Sequence, residues 1–162
     1  MTKIIHHNPL LLRCRPMRRR GVALSVELVL VLPILFAILL AMVEFGILLM
    51  GSQGLTAAAN IGAREAALPS ADYTSVVNAV KSALQGYVWK NDAQLEVVIF
   101  VNGVKDRGPA FPPEELATAI SGDEISVSVN IGMNRVAPDA LKFVGITLVG
   151  HELTTTFVTR RE

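Results

Sequence analysis

The sequence holds one cysteine, Cys14, among 162 residues. A lone cysteine excludes an intrachain disulfide, so any folded part must rest on its apolar core. Cys14 also precedes the main apolar segment and stands beside Arg13, which is a poor arrangement for a lipoprotein acceptor. Histidine is nearly as scarce: His6 and His7 lie near the start, and His151 stands alone next to Glu152. A catalytic or metal site needs several such groups within reach of one another. The chain has no pair of cysteines, no His-x-x-x-His, no glycine-rich phosphate loop and no Gly-x-Ser-x-Gly. The adjacent acids Glu114-Glu115 and Asp123-Glu124 border turn residues and read as solvated loops. Nothing here supports an enzyme, a cofactor or a metal centre.

Charge is the next thing missing. Only 18% of residues are charged, and residues 28–43 contain none. Mean hydropathy is +0.46, high for a water-soluble chain. If Glu27 and Glu44 are admitted, the apolar stretch covers residues 22–50. A bilayer core needs about 20 helical residues. A core helix of a soluble protein normally shows a polar stripe, and residues 28–43 show none. The pattern predicts one transmembrane helix over 22–50. Pro33 lies inside it, and membrane helices tolerate proline because neighbouring groups satisfy the freed carbonyl.

The charges that do exist are segregated. Lys3, Arg13, Arg15, Arg18, Arg19 and Arg20 precede the apolar run with no acid among them. The part beyond residue 50 has 9 Lys/Arg against 12 Asp/Glu, so it carries about −3. Basic residues abutting a span stay on the cytoplasmic side. Arg18, Arg19 and Arg20 thus predict residues 1–21 as a basic cytoplasmic leader and 51–162 as an extracytoplasmic domain. A nucleic-acid role for these arginines finds no basic domain to support it.

The outer part reads as α+β. Gly51-Ser52-Gln53-Gly54 is a weak interruption, after which the alanine-rich 55–68 extends the helix. Pro69 ends it. A second helix is expected over 70–90, capped by Ser70 or Asp72, with apolar positions at Tyr73, Val76, Val77, Val80, Leu84, Tyr87 and Val88. Residues 95–101 read as a strand, and Asn102-Gly103 as a hairpin turn into a very short partner. A short helix follows Pro112-Pro113. Ile125, Val127, Val129 and Ile131 alternate with polar residues as a half-buried strand. Residues 146–159 read as the last strand. The expected fold is a single N-terminal transmembrane helix extended into a domain with a second helix and a small antiparallel sheet over 95–159.

The unusual chemistry lies in the span. An ionisable group inside a membrane helix is expensive and marks function by default. Glu27 is near the basic end, where Arg19 or Arg20 can pair with it. Glu44 is near the outer end, within about a turn of the edge if the hydrocarbon core ends near residue 47.

The order Arg18-Arg19-Arg20-Gly21, five small or apolar residues, Glu27 and a long apolar run resembles the leader junction of type IV pilins and pseudopilins. The combination of that junction with Val26-Glu27, Val31-Leu32-Pro33, Glu44-Phe45-Gly46 and the alanine-rich run at 58–66 is similar to the TadE-like family of the tight-adherence (Flp) pilus. The resemblance covers roughly residues 18–67. It implies a pilin-like outer domain and cleavage by a prepilin peptidase between Gly21 and Val22. It also implies that Glu27 pairs with the new amino terminus of a neighbouring subunit, which a low-dielectric layer favours. Such a cut makes Glu27 the sixth mature residue, where the usual pattern puts it fifth.

The expected function is a minor pseudopilin in the bacterial inner membrane, a structural or assembly component of the pilus or secretion apparatus. Its partners would be the lipid bilayer, other pilin-like subunits and pilus assembly proteins. Two alternatives stand beside it. One is a secreted protein cut by an ordinary signal peptidase near Ala59, using Ala57-Ala58-Ala59. The other is an uncleaved anchored protein whose outer domain binds a ligand or partner.

Overall fold

The computed structural model describes residues 20–112 and 114–162, with side chains from residue 25 onward. The chain forms two compact units, Met1–Phe36 and Ala37–Glu162. In the first, the described residues are helical and, from Ser25 onward, exposed.

Helix α1 runs unbroken over Arg20–Ala66 and contains Pro33. The expected interruption at 51–54 does not occur. Its glycines serve packing instead. A Cβ at Gly51 would collide with Val136, and one at Gly54 with the Tyr87 ring. A Cβ at Gly62 would sit 2.6 Å from Val80 Cγ2. Glycine costs a helix about 1 kcal/mol relative to alanine; here it admits neighbours that no other residue would.

Asp72 starts helix α2, Tyr73–Ala83, through a capping box. Its carboxylate accepts the Ser75 N–H at 2.7 Å, and its own N–H donates to Ser75 Oγ at 3.2 Å. The helix is shorter than its apolar spacing predicts. It ends at Leu84, and a separate 3-10 turn covers Val88–Asn91. Val88, assigned by periodicity to the apolar face, is fully exposed at 102%. Tyr87 and Trp89 instead meet with ring centroids 4.9 Å apart.

Four strands follow: β1 Glu96–Val101, β2 Val104–Asp106, β3 Glu124–Gly132 and β4 Glu152–Arg160. They form one antiparallel sheet in the order β2-β1-β3-β4. Asn102 and Gly103 both adopt positive φ, +49° and +81°, which matches the twist of a two-residue hairpin. Short helices α3, Glu115–Thr118, and α4, Met133–Val136, flank β3 in sequence.

The last strand begins later than its composition predicts. Residues 146–151 are not strand. Gly145 and Gly150 turn the chain with positive φ of +87° and +84°. Between them Asp139 captures the segment, accepting the Thr147 hydroxyl at 2.7 Å and the Leu148 N–H at 3.1 Å. Short side-chain acceptors of this kind compete with strand pairing.

The core lies where α1, α2 and the sheet converge. Leu55, Ala58, Ala59, Ala63 and Ala66 of α1 are buried with Val76, Val80 and Leu84 of α2. Ile99, Val127, Val129 and Ile131 close it from the sheet. The alanines of α1 therefore do more than favour helix: they are that helix's share of the core.

Candidate functional site

The described residues singled out by sequence lie along α1, and the structure treats them differently. Arg18 and Arg19 fall outside the described residues. Arg20 is the first residue of α1, and Gly21 and Val22 follow within its first turn. Glu27 is exposed on the helix. Its neighbours Val26, Leu28, Val29 and Leu30 are exposed too, so this segment presents an apolar surface with one carboxylate in it.

Glu44 has the opposite environment. It is 3% exposed, while Met42 and Phe45 beside it are 71% and 62% exposed. One carboxylate oxygen accepts the backbone N–H of Leu141 at 3.2 Å. Leu141 belongs to a 3-10 turn, Ala140–Val144. A buried acid without a donor would be costly, and this segment supplies one. The two carboxylates of α1 are thus not equivalent. One faces outward at the basic end, and the other is enclosed by the chain's own fold.

Sequence reasoning missed what closes the other end of α1. Arg161 is 5% exposed. Its guanidinium donates to the carbonyls of Ala66 at 3.1 Å and Pro69 at 2.8 Å. The last carbonyls of a helix lack intrahelical donors and carry partial negative charge, so a cation there is favourable. Asp123 supports the same corner. Its Oδ1 accepts from Asn102 Nδ2 at 2.9 Å and its Oδ2 from the Ile120 N–H at 2.8 Å. These bonds, the Asn102 one foremost, with Arg161 nearby, hold the Asp123 carboxyl below its usual pKa. Run-end charges such as Arg160-Arg161-Glu162 give no hint in sequence of which one turns inward.

A cleft of about 620 Å³ lies between α2 and the β1–β2 hairpin, lined by Tyr73, Lys81, Lys105, Asp106 and Phe111 among others. Asp106 is committed to structure, accepting the Gly108 and Leu116 N–H groups at 2.7 and 2.8 Å. The Tyr73 hydroxyl donates to the Val97 carbonyl at 3.2 Å. Burial, then Asp106 and Glu96, push its pKa up. His151 is exposed just ahead of β4, and its carbonyl accepts the Met133 N–H. Among the described residues no group of three or more His, Cys, Asp or Glu is placed to hold a metal ion.

The part of α1 that carries both carboxylates and the alanine run has a counterpart among known proteins. Residues 23–64 match the family model described as TadE-like protein. No curated protein and no solved structure matches the chain. The TadE-like segment contains Glu27, Pro33 and Glu44 and ends within the alanine run, as the resemblance in the sequence implies. α1 is also long and apolar enough to be a membrane anchor. The TadE-like match stops short of α2 and the sheet.

Proposed function

We propose that this protein is a membrane-anchored minor pseudopilin, a non-enzymatic assembly component of a tight-adherence pilus. The observation that carries this reading is the coincidence of three features on one helix. The TadE-like match covers 23–64; the exposed apolar face of α1 lies at its start; and the alanine face at its end forms the core of the outer domain. A helix exposed and apolar at one end and buried by its own domain at the other suits a subunit that stands in a membrane and packs against similar helices.

In this reading the basic leader stays cytoplasmic, the domain faces outward across the inner membrane, and a prepilin peptidase cuts between Gly21 and Val22. Glu27, exposed among apolar side chains, then pairs with the amino terminus of a neighbouring subunit. N-terminal sequencing of mature protein tests the cut: Val22 as first residue supports it, and an intact Met1 refutes it. Glu27→Ala should insert into membranes normally yet impair pilus assembly. Wild-type piliation in that variant would refute the pairing role.

A secreted protein cut near Ala59 is disfavoured by packing. That cut would remove Leu55, Ala58 and Ala59, each fully buried, from the core of the domain it releases. A membrane-anchored binding protein differs from the leading reading only in its partners. Copurification with pilus platform and ATPase proteins separates the two.

A further inference from the structure

From α4 onward the chain returns along α1 toward the apolar part of that helix. Val136 packs where Gly51 leaves room, and Leu141 reaches Glu44. Those two points on α1 are seven residues apart, about 10 Å of helix rise. Beyond Leu141 the chain displays a series of large apolar side chains to the outside. Phe143 is 68% exposed, Ile146 and Val149 57% each, and Val144 52%.

This display is not a loose loop. Ile146 N–H donates to the Leu141 carbonyl at 3.3 Å, and Gly145 N–H to the Lys142 carbonyl at 3.0 Å. Asp139 ties both Thr147 and Leu148 to the loop's start. A hydrogen-bonded loop that holds apolar side chains outward is built to be covered, because exposed clusters of this kind mark interaction surfaces. Lys142 is the one charged side chain between Asp139 and His151.

We propose that residues 140–149 form an interfacial membrane-contacting loop. Phe143, Val144 and Ile146 enter the boundary between headgroups and acyl chains, and Lys142 stays at the level of the lipid phosphates. The proposal rests on the reading of α1 as a membrane span. Its occupant is fixed by continuity: the loop is fastened to Glu44, where the charge-free part of α1 ends, and exposed Met42, Val43 and Phe45 adjoin the fastening point. Apolar side chains at the entry of a span meet lipid first, and a lysine with a long stem suits anionic headgroups. The same placement explains Glu44: the loop encloses a carboxylate that the span would otherwise present to lipid, and gives it a donor.

The test uses the full chain with Cys14→Ser, which leaves no native thiol. Single cysteines are then introduced as Phe143→Cys, Leu35→Cys and Ala117→Cys, all at exposed positions. Each is labelled with an environment-sensitive nitrobenzoxadiazole dye and reconstituted in phosphatidylcholine–phosphatidylglycerol vesicles containing spin-labelled lipid. The expected result is blue-shifted, lipid-quenched emission at 35 and 143, with water-like, unquenched emission at 117. Quenching at 35 but not at 143 overturns the loop proposal and leaves the span intact. No quenching at either position overturns both. A blue shift at 143 without lipid quenching means that protein covers the loop, which also overturns the proposal.

Discussion

Glu44 and Leu141 are 97 positions apart in sequence, and the Leu141 backbone N–H donates to the Glu44 carboxylate at 3.2 Å. The bond fastens the 3-10 turn of residues 140–144 to α1. Its loss frees the turn and strands a buried acid. Glu44→Leu should therefore speed hydrogen exchange at the Leu141 amide and increase cleavage of residues 140–149 by added protease. Glu44→Gln keeps an acceptor at the same place and should stay close to wild type. Equal protection in the leucine variant would show that the turn holds by packing alone.

Arg161 closes the far end of α1 with two bonds to carbonyls. Arg161→Ala should cost about 1–3 kcal/mol, because it leaves the buried Ala66 carbonyl without this donor. Arg160→Ala, at an exposed neighbour, should stay within about 0.5 kcal/mol of wild type. Denaturant unfolding of the detergent-solubilised full chain, followed through the buried Trp89, checks both.

Gly62 of α1 faces Val80 of α2. Gly62→Ala places a methyl 2.6 Å from Val80 Cγ2, and overpacking of this kind costs about 1–3 kcal/mol. Adding Val80→Ala to it should recover part of the loss, because the clashing methyl is gone. Gly46→Ala meets nothing within 4 Å and should not destabilise. The same unfolding measurement ranks the three.

Asp123 predicts an acid-side dependence of stability. Its folded pKa is lowered, mainly by the Asn102 side chain. A lowered carboxylate stabilises the fold above its unfolded value, about 3.9, and that contribution disappears as pH falls through the folded value. Wild type and Asp123→Ala should therefore differ by a constant amount at neutral pH and converge below about pH 4. A difference that persists unchanged to low pH would mean that the carboxylate's charge contributes nothing at this corner.

Several features are written locally in the chain. An apolar run without charge from 28 to 43 suffices for a long exposed helix, because each residue's preference acts on its own neighbours. Asn102-Gly103 dictates its turn, since its two positive φ values suit these residues better than most. The alternation from Ile125 to Ile131 gives β3, and the motif around Glu27, Pro33 and Glu44 identifies the TadE-like segment. Other features depend on partners distant in sequence. The glycines at 51 and 54 look like a break until Val136 and Tyr87 occupy the space they leave. Residues 146–151 look like strand until Asp139 binds the Thr147 hydroxyl and takes the Leu148 N–H that pairing could use. Glu44 and Glu27 look alike as two acids in one apolar helix. Only the fold separates them, because burial of Glu44 requires a turn from the other end of the chain to bring a backbone donor to it.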